Sequence, residues 1–256
     1  MAVMNYQTIR VQIRGTFCFI QFHRPGAGNS IDDVLVNEFR DALDECRTSI
    51  TAVILEGLPD VFCMGADFES IHRSSSTGRP MSGNAAILYD LWLRLATGPY
   101  VTIAHVKGKA NAGGVGFVAA CDIVLASPTA QFSLSELLFG IFPACVLPFL
   151  VRRTGFQKAN YLTLMTRPVT ATEARDWGLV DAVDTDSDAL LRTHLLRIRR
   201  LSKTAIGQYK SYMASLNPSL STARPSAIAA NEKIFSDDNN LAAISRYVET
   251  GQFPWE

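Results

Sequence analysis

VTIAHVKGKANAGGVGFVAACD, residues 101–122, is the stretch on which the reading of the fold turns. Val101 to Val106 is a β-rich apolar run. It meets a turn carrying Gly108, Ala112, Gly113, Gly114 and Gly116, and a helix of small residues, Phe117 to Ala120, follows. Glycines at such a junction let the backbone approach a second group closely, and a helix that starts there aims unpaired N–H groups at it. That arrangement suits stabilisation of negative charge on an oxygen. The same pattern also serves plain strand-to-helix packing, so the stretch alone leaves both readings open. A dinucleotide fingerprint needs G-x-G-x-x-G, which Gly114, Gly116 and Ala119 only brush against, with alanine in the third place, and no Lys-Ser or Lys-Thr follows the glycines as in a phosphate-binding P-loop.

Outward from this stretch, residues 7–23 alternate polar and apolar around Arg14-Gly15, which predicts a β-hairpin. Ser30 or Asp32 can cap an amphipathic helix through Leu35, Phe39, Leu43 and Cys46. Ala52 to Leu55 reads as a buried strand. Asp67 in FCMGADF (62–68) opens another helix, which leaves the N–H of Ala66 beside a helix start, a second place where an oxygen anion could be held. Ser74 to Asn84 reads as a mobile loop, and Ala85 to Leu95 as an apolar helix carrying Tyr89 and Trp92. Strands are expected at Ile123–Ala126, Ala130–Phe132 and Val180–Val183. Helices are expected at Gln157–Met165 and at Thr172–Trp177, with Thr170 as cap, and nearly throughout after residue 183. Repeated strand–helix units followed by a helical third make an α/β protein.

Composition narrows the classes. At 256 residues and 48% hydrophobic the chain can bury a full core, and 24 basic against 24 acidic residues leave no net field to recruit nucleic acid or a membrane surface. The five cysteines, at 18, 46, 63, 121 and 145, show neither C-x-x-C spacing nor clustered histidines, so neither a zinc site nor a disulfide framework is expected. The first residues lack a signal-peptide core and no uncharged apolar run is long enough to span a bilayer, which leads to the expectation of a cytoplasmic protein with reduced thiols.

Taken together, FCMGADF, KANAGGVGFVAACDIVLAS (109–127), QFSLSELLFGIFP (131–143) and PVTATEARDWGLVD (168–181) resemble the crotonase (enoyl-CoA hydratase/isomerase) superfamily across about residues 5–200. The resemblance implies a crotonase-like ββα spiral over residues 1–200 and a C-terminal helical trimerisation region over 201–256, in a homotrimer or hexamer. It implies an oxyanion hole of two backbone N–H groups around a thioester carbonyl, at Ala66 and Gly113, with the substrate carried as a phosphopantetheine or CoA thioester and no further cofactor or metal. Of the two glutamates of the family's hydratases, Glu136 matches one, whereas Gly116 stands where the other would be.

The segments 110–122, 132–153 and 246–256 look, more narrowly, like the dehydratases of polyketide β-branching cassettes, which convert 3-hydroxy-3-methylglutaryl-acyl carrier protein to the 3-methylglutaconyl form. On that resemblance Glu136 is the base, and Asn111 either orients the hydroxyl or the free carboxylate or caps a turn. Asp67 reads first as an N-cap fixing the oxyanion loop and Cys145 first as a packing residue, and both, with Tyr89 and His72 flanking the mobile loop, are candidates to border the acyl group. Arg73, Arg79 and Lys158 are candidate partners for the distal carboxylate. Arg152-Arg153 and the Arg197, Arg199, Arg200 and Lys203 cluster are candidate docking points for an acidic carrier protein. A single-glutamate isomerase or hydratase, a decarboxylating relative and a non-catalytic scaffold are the competing readings.

Overall fold

The computed structural model describes residues 3–76 and 84–256. The chain opens with strands β1 (Val3–Asn5), β2 (Ile9–Arg14) and β3 (Phe17–Phe22), then helix α1 (Asp33–Glu45) and strands β4 (Ala52–Glu56) and β5 (Val61–Cys63). Helices α2 (Phe68–Ser76) and α3 (Asn84–Thr97) lead to β6 (Val101–Val106), β7 (Lys109–Asn111), α4 (Gly113–Ala120), β8 (Ile123–Ala126) and β9 (Gln131–Ser133). A 3₁₀ turn at Glu136–Phe139 precedes α5 (Leu147–Thr154), α6 (Phe156–Met165), β10 (Val169–Thr170), α7 (Ala171–Asp176) and β11 (Ala182–Val183). Four helices finish the chain: α8 (Ser187–Ile198), α9 (Lys203–Leu216), α10 (Ser219–Phe235) and α11 (Asp238–Thr250).

Local chemistry accounts for the boundaries. Asp32 caps α1 by accepting the N–H of Leu35 at 2.8 Å, and α1 buries the stripe Leu35, Val36, Phe39, Ala42 and Leu43. Thr170 and Glu173 close a reciprocal capping box on α7. Two expected boundaries shift. The helix after the glycines begins at Gly113 rather than Phe117, and the presumed turn before it contains β7. The expected loop is trimmed at both ends, because Ser74–Ser76 complete α2 and Asn84 opens α3; residues 77–83 lie outside the described residues.

The strands form two sheets. The larger runs β1-β2-β3-β4-β6-β8-β11, antiparallel through β3 and parallel from there on. The smaller runs β10-β9-β7-β5, and in it β5, β7 and β9 are parallel. Alternate residues of the large sheet split between two clusters. Val53, Leu55, Ala104, Val106 and Val124 join the main core with α1, α3 and α4, while Ala52, Ile54, Ile103 and Leu125 meet Leu191 and Ile198 of α8 on the opposite face.

The C-terminal helices fold back on their own chain. Ile234 and Ile244 of α10 and α11 pack with Ile71 of α2 and with Phe139, Ile141 and Ala144. Leu220 and Ala227 belong to the main core, so residues 201–256 share their packing with the rest of the chain. Among the described residues no helix is long and apolar enough to cross a membrane.

Candidate active site

The small sheet brings the motifs together. Because β5, β7 and β9 are parallel, their C-terminal ends lie on one edge, with Cys63 beside Ala110 and Asn111 beside Ser133. Ala66 lies three residues past the end of β5, Gly113 two past β7 and Glu136 three past β9. Ligands collect at the carboxyl ends of parallel strands for this reason: the chain must turn there, and each turn presents backbone groups the ladder no longer uses.

Ala66 and Gly113 come from adjoining turns. Ile31 bridges Ala66, donating its N–H to Gly65 at 2.7 Å and accepting that of Asp67 at 3.1 Å. Gly65 has φ +87°, and a Cβ there would lie 2.5 Å from the Cβ of Ala112 and 3.1 Å from the N of Gly113. Only glycine allows that approach. Ala112 has φ 51° and ψ −122°, a strained pair for an alanine, and it immediately precedes the Gly113 N–H at the first position of α4. Among the described residues neither the Ala66 nor the Gly113 N–H has a hydrogen-bond acceptor.

The other end of α4 is fully provided for. Arg152 donates to the carbonyls of Ala119 and Ala120 at 3.3 and 3.5 Å, and Arg153 to those of Cys121 and Asp122 at 3.1 and 3.3 Å. Lys210 of α9 pairs with Asp122 at the same end. Cations there complement the helix dipole and hold the open N-terminus in place. This corrects the expectation that Arg152-Arg153 forms a docking patch, since both guanidinium groups are bound to this helix end. Of the other cluster, Lys203 donates to the Ile50 carbonyl at 2.6 Å, and Arg197, Arg199 and Arg200 are exposed at the end of α8, across the large sheet from α4.

Glu136 opens the 3₁₀ turn at 9% exposure, and its Oε2 has no hydrogen-bond partner among the described residues. Burial pushes its carboxyl up to about 7, although its own N–H and that of Ser135 favour the charged form. Asn111 sits beside it in a satisfied network. Its Nδ2 donates to Ser135 Oγ at 2.9 Å and its Oδ1 accepts from Ser133 Oγ at 2.8 Å. The amide thus fixes the segment that carries Glu136.

Three expected acyl contacts are also committed elsewhere. The Tyr89 hydroxyl donates to the Leu220 carbonyl at 2.7 Å in a fully buried position, and burial pushes its pKa up to about 12. Cys145 is buried with its Sγ on the Ala227 carbonyl at 3.7 Å, its thiol pushed up to about 12 by burial. His72 of α2 meets Ser245 Oγ at 2.9 Å and Glu249 at 3.6 Å, tying α2 to α11. All three therefore join the C-terminal helices to the body of the protein. Asp67 behaves as a cap: its Oδ1 accepts the Ser70 N–H and its Oδ2 the Arg24 guanidinium, each at 3.0 Å. Burial alone would raise its pKa, but these donors outweigh it and the net shift is downward.

For the distal carboxylate, Lys158 lies over the Trp177 ring at 5.1 Å and Arg73 is exposed beside Glu69, while Arg79 is outside the described residues. His105 has both nitrogens engaged, by Glu56 at 2.9 Å and Ser187 at 3.0 Å. Glu56, His105 and Asp188 are the residues at metal-compatible spacing among those described. They sit on β4, β6 and α8, away from the small sheet, and Lys107 holds Asp188 at 2.8 Å.

The residues that sequence reasoning passed over are Arg24, which ties Asp67 to Asp32, and the two serines around Asn111. No motif marks them, because their partners are distant in sequence.

The enoyl-CoA hydratase/isomerase family profile matches residues 12–256. The bacillaene synthase dehydratase PksH of Bacillus subtilis (strain 168) is 57% identical, covering 100% of this chain and 99% of that protein. The crystal structure of B. subtilis PksH superposes with a TM-score of 0.96 over 98% of this chain and 100% of that one. An enoyl-CoA hydratase from Bacillus halodurans, 21% identical, shares the fold at a TM-score of 0.83, over 93% of this chain and 99% of that one.

Proposed function

The chain belongs to the enoyl-CoA hydratase/isomerase family, and from that premise we propose that it is a dehydratase of polyketide assembly, removing water from 3-hydroxy-3-methylglutaryl held on an acyl carrier protein. The product is the 3-methylglutaconyl thioester. The observation that carries this reading is the pairing, on one edge of the small sheet, of two backbone N–H groups and a buried carboxyl Oε2 that have no hydrogen-bond partner among the described residues. The likeness to a named polyketide dehydratase supports the direction of the reaction and its setting.

Elimination of water from a β-hydroxy thioester needs a base for the α-proton, a sink for the enolate charge and an acid for the departing hydroxyl. The N–H groups of Ala66 and Gly113 are the sink, each worth on the order of 3 kcal/mol where charge develops. Glu136 takes the α-proton as the C–H bond breaks. The protonated carboxyl then gives that proton to the hydroxyl as the C–O bond breaks and the double bond forms, so one group serves both steps. Its pKa, raised to about 7, suits a carboxyl that must both accept and donate near neutrality.

The carrier's phosphopantetheine arm supplies the thioester, and no further cofactor or metal is called on. A free CoA thioester presents the same carbonyl. A homotrimer or hexamer is the assembly in which we expect the chain to work, in the cytoplasm.

Intact-mass analysis of the carrier loaded with 3-hydroxy-3-methylglutarate tests the reaction. Loss of one water supports the proposal. Loss of carbon dioxide, or no mass change, contradicts it.

A further inference from the structure

Three buried side-chain atoms have no hydrogen-bond partner among the described residues: His23 Nδ1, Glu136 Oε2 and Trp92 Nε1. Trp92 is 1% exposed on α3, and an indole N–H buried without an acceptor is destabilising. Such a group persists where an acceptor arrives with a ligand. The ring lies on α4 beside the oxyanion turn. A Cβ at Gly116 would fall 2.5, 2.6 and 2.9 Å from its Cζ2, Cη2 and Cε2, and a Cβ at Gly113 would fall 3.8 Å from Cζ2. Gly113 and Gly116 are three residues apart and share a face of the helix. Cε2 carries Nε1, so the indole nitrogen is one bond from an atom that packs at Gly116. The ring also makes T-shaped contacts with Phe117 and Phe149, at 5.7 and 5.8 Å.

Resting on the dehydratase reading, we propose that the Trp92 indole N–H is the hydrogen-bond donor to the leaving β-hydroxyl of the substrate. The indole fills the space that any side chain at position 116 would need. It can hold the hydroxyl oxygen but can neither give up nor take a proton. The α-proton therefore passes through Glu136 alone: the C–H electron pair becomes the new double bond, the C–O pair leaves with oxygen, and Glu136 returns the proton to complete the water. A donor in a dry pocket discriminates by its acceptor, so this assigns to Trp92 the selection of β-hydroxyacyl thioesters over those without the hydroxyl.

Two measurements test the proposal. Trp92→Phe keeps the ring against Gly116 and removes the N–H. We expect kcat for dehydration to fall about tenfold, with KM for the hydroxylated substrate moving less and inhibition by the dehydrated product unchanged. A folded variant with wild-type kcat overturns the proposal. The second measurement needs binding but neither turnover nor that variant. The chain has three tryptophans, so replacing Trp177 and Trp255 by Phe in a Glu136→Gln background leaves one ¹⁵N-indole resonance. That resonance should move downfield with 3-hydroxy-3-methylglutaryl-CoA and stay in place with 3-methylglutaryl-CoA. An equal response to both thioesters, or none to either, overturns the proposal. A wild type that releases no water sinks the dehydratase reading instead, while the indole comparison still decides the hydrogen bond.

Discussion

Two carboxylates stand at the edge of the small sheet in nearly equal burial, Asp67 after β5 at 8% exposure and Glu136 after β9 at 9%. Their surroundings are opposite. Asp67 accepts a backbone N–H on one oxygen and a guanidinium on the other, and its pKa falls. Glu136 has one oxygen without a partner among the described residues, and its pKa rises to about 7. Where two acids in one site are driven apart, their roles separate. The satisfied one builds the turn that presents Ala66, and the unsatisfied one is free to exchange a proton.

The sharpest way to break this contrast is Glu136→Gln. Turnover should drop by a factor on the order of 10³ with circular dichroism unchanged, the size of a lost general base. A near-normal rate would give the chemistry to another group.

The same substitution should stabilise the fold above neutrality. Folding raises the Glu136 pKa from 4.5 to about 7, so the folded chain holds its proton more tightly. The stability that this confers is fully present below the unfolded value and is lost as pH rises through the folded one. Glu136→Gln should therefore gain about 3 kcal/mol in urea unfolding at about pH 8 and nothing at about pH 4. A loss at pH 8 would mean that the ionised carboxylate has a partner after all.

Asp67→Asn should do the reverse, losing about 2 kcal/mol at neutral pH through the weakened cap and ion pair. Its depressed pKa places that stability above the unfolded value of 3.8, and it is lost as pH falls through the folded value, so the gap between wild type and variant should close in acid. An unchanged neutral stability would remove Asp67 from the architecture of the turn. Smallest is Ser135→Ala, which takes an acceptor from Asn111 and should cost about 1 kcal/mol in the same unfolding experiment.

The parts of this contrast that follow local rules were legible in the sequence. The hairpin around Arg14-Gly15, the Asp67 cap and the Thr170 capping box each depend on neighbours a few residues away. The apolar flanks of Glu136, Leu134 and Phe139, are visible in the sequence, and both are buried with it. The strands β5, β7 and β9 were not legible as a sheet. Each has three residues, too few to show alternation, and their pairing is non-local. The start of α4 was read late because glycines weaken a helical pattern that packing here enforces. The contacts of Tyr89, His72 and Cys145 were not legible for one reason: their partners Leu220, Ser245 and Ala227 lie on helices whose fold-back no local pattern encodes. Phe139, three residues after Glu136, meets Tyr247 and Phe253 at 5.1 and 5.7 Å in the same way.

The most direct measurement is the pH dependence of kcat/KM for dehydration of the carrier-bound substrate. One ionisation should govern its rising limb, centred at about 7, with activity gained as Glu136 loses its proton. A limb near the ordinary carboxylate range, or the same limb persisting at full height in Glu136→Gln, would contradict a lone unsatisfied carboxyl as the base of this site.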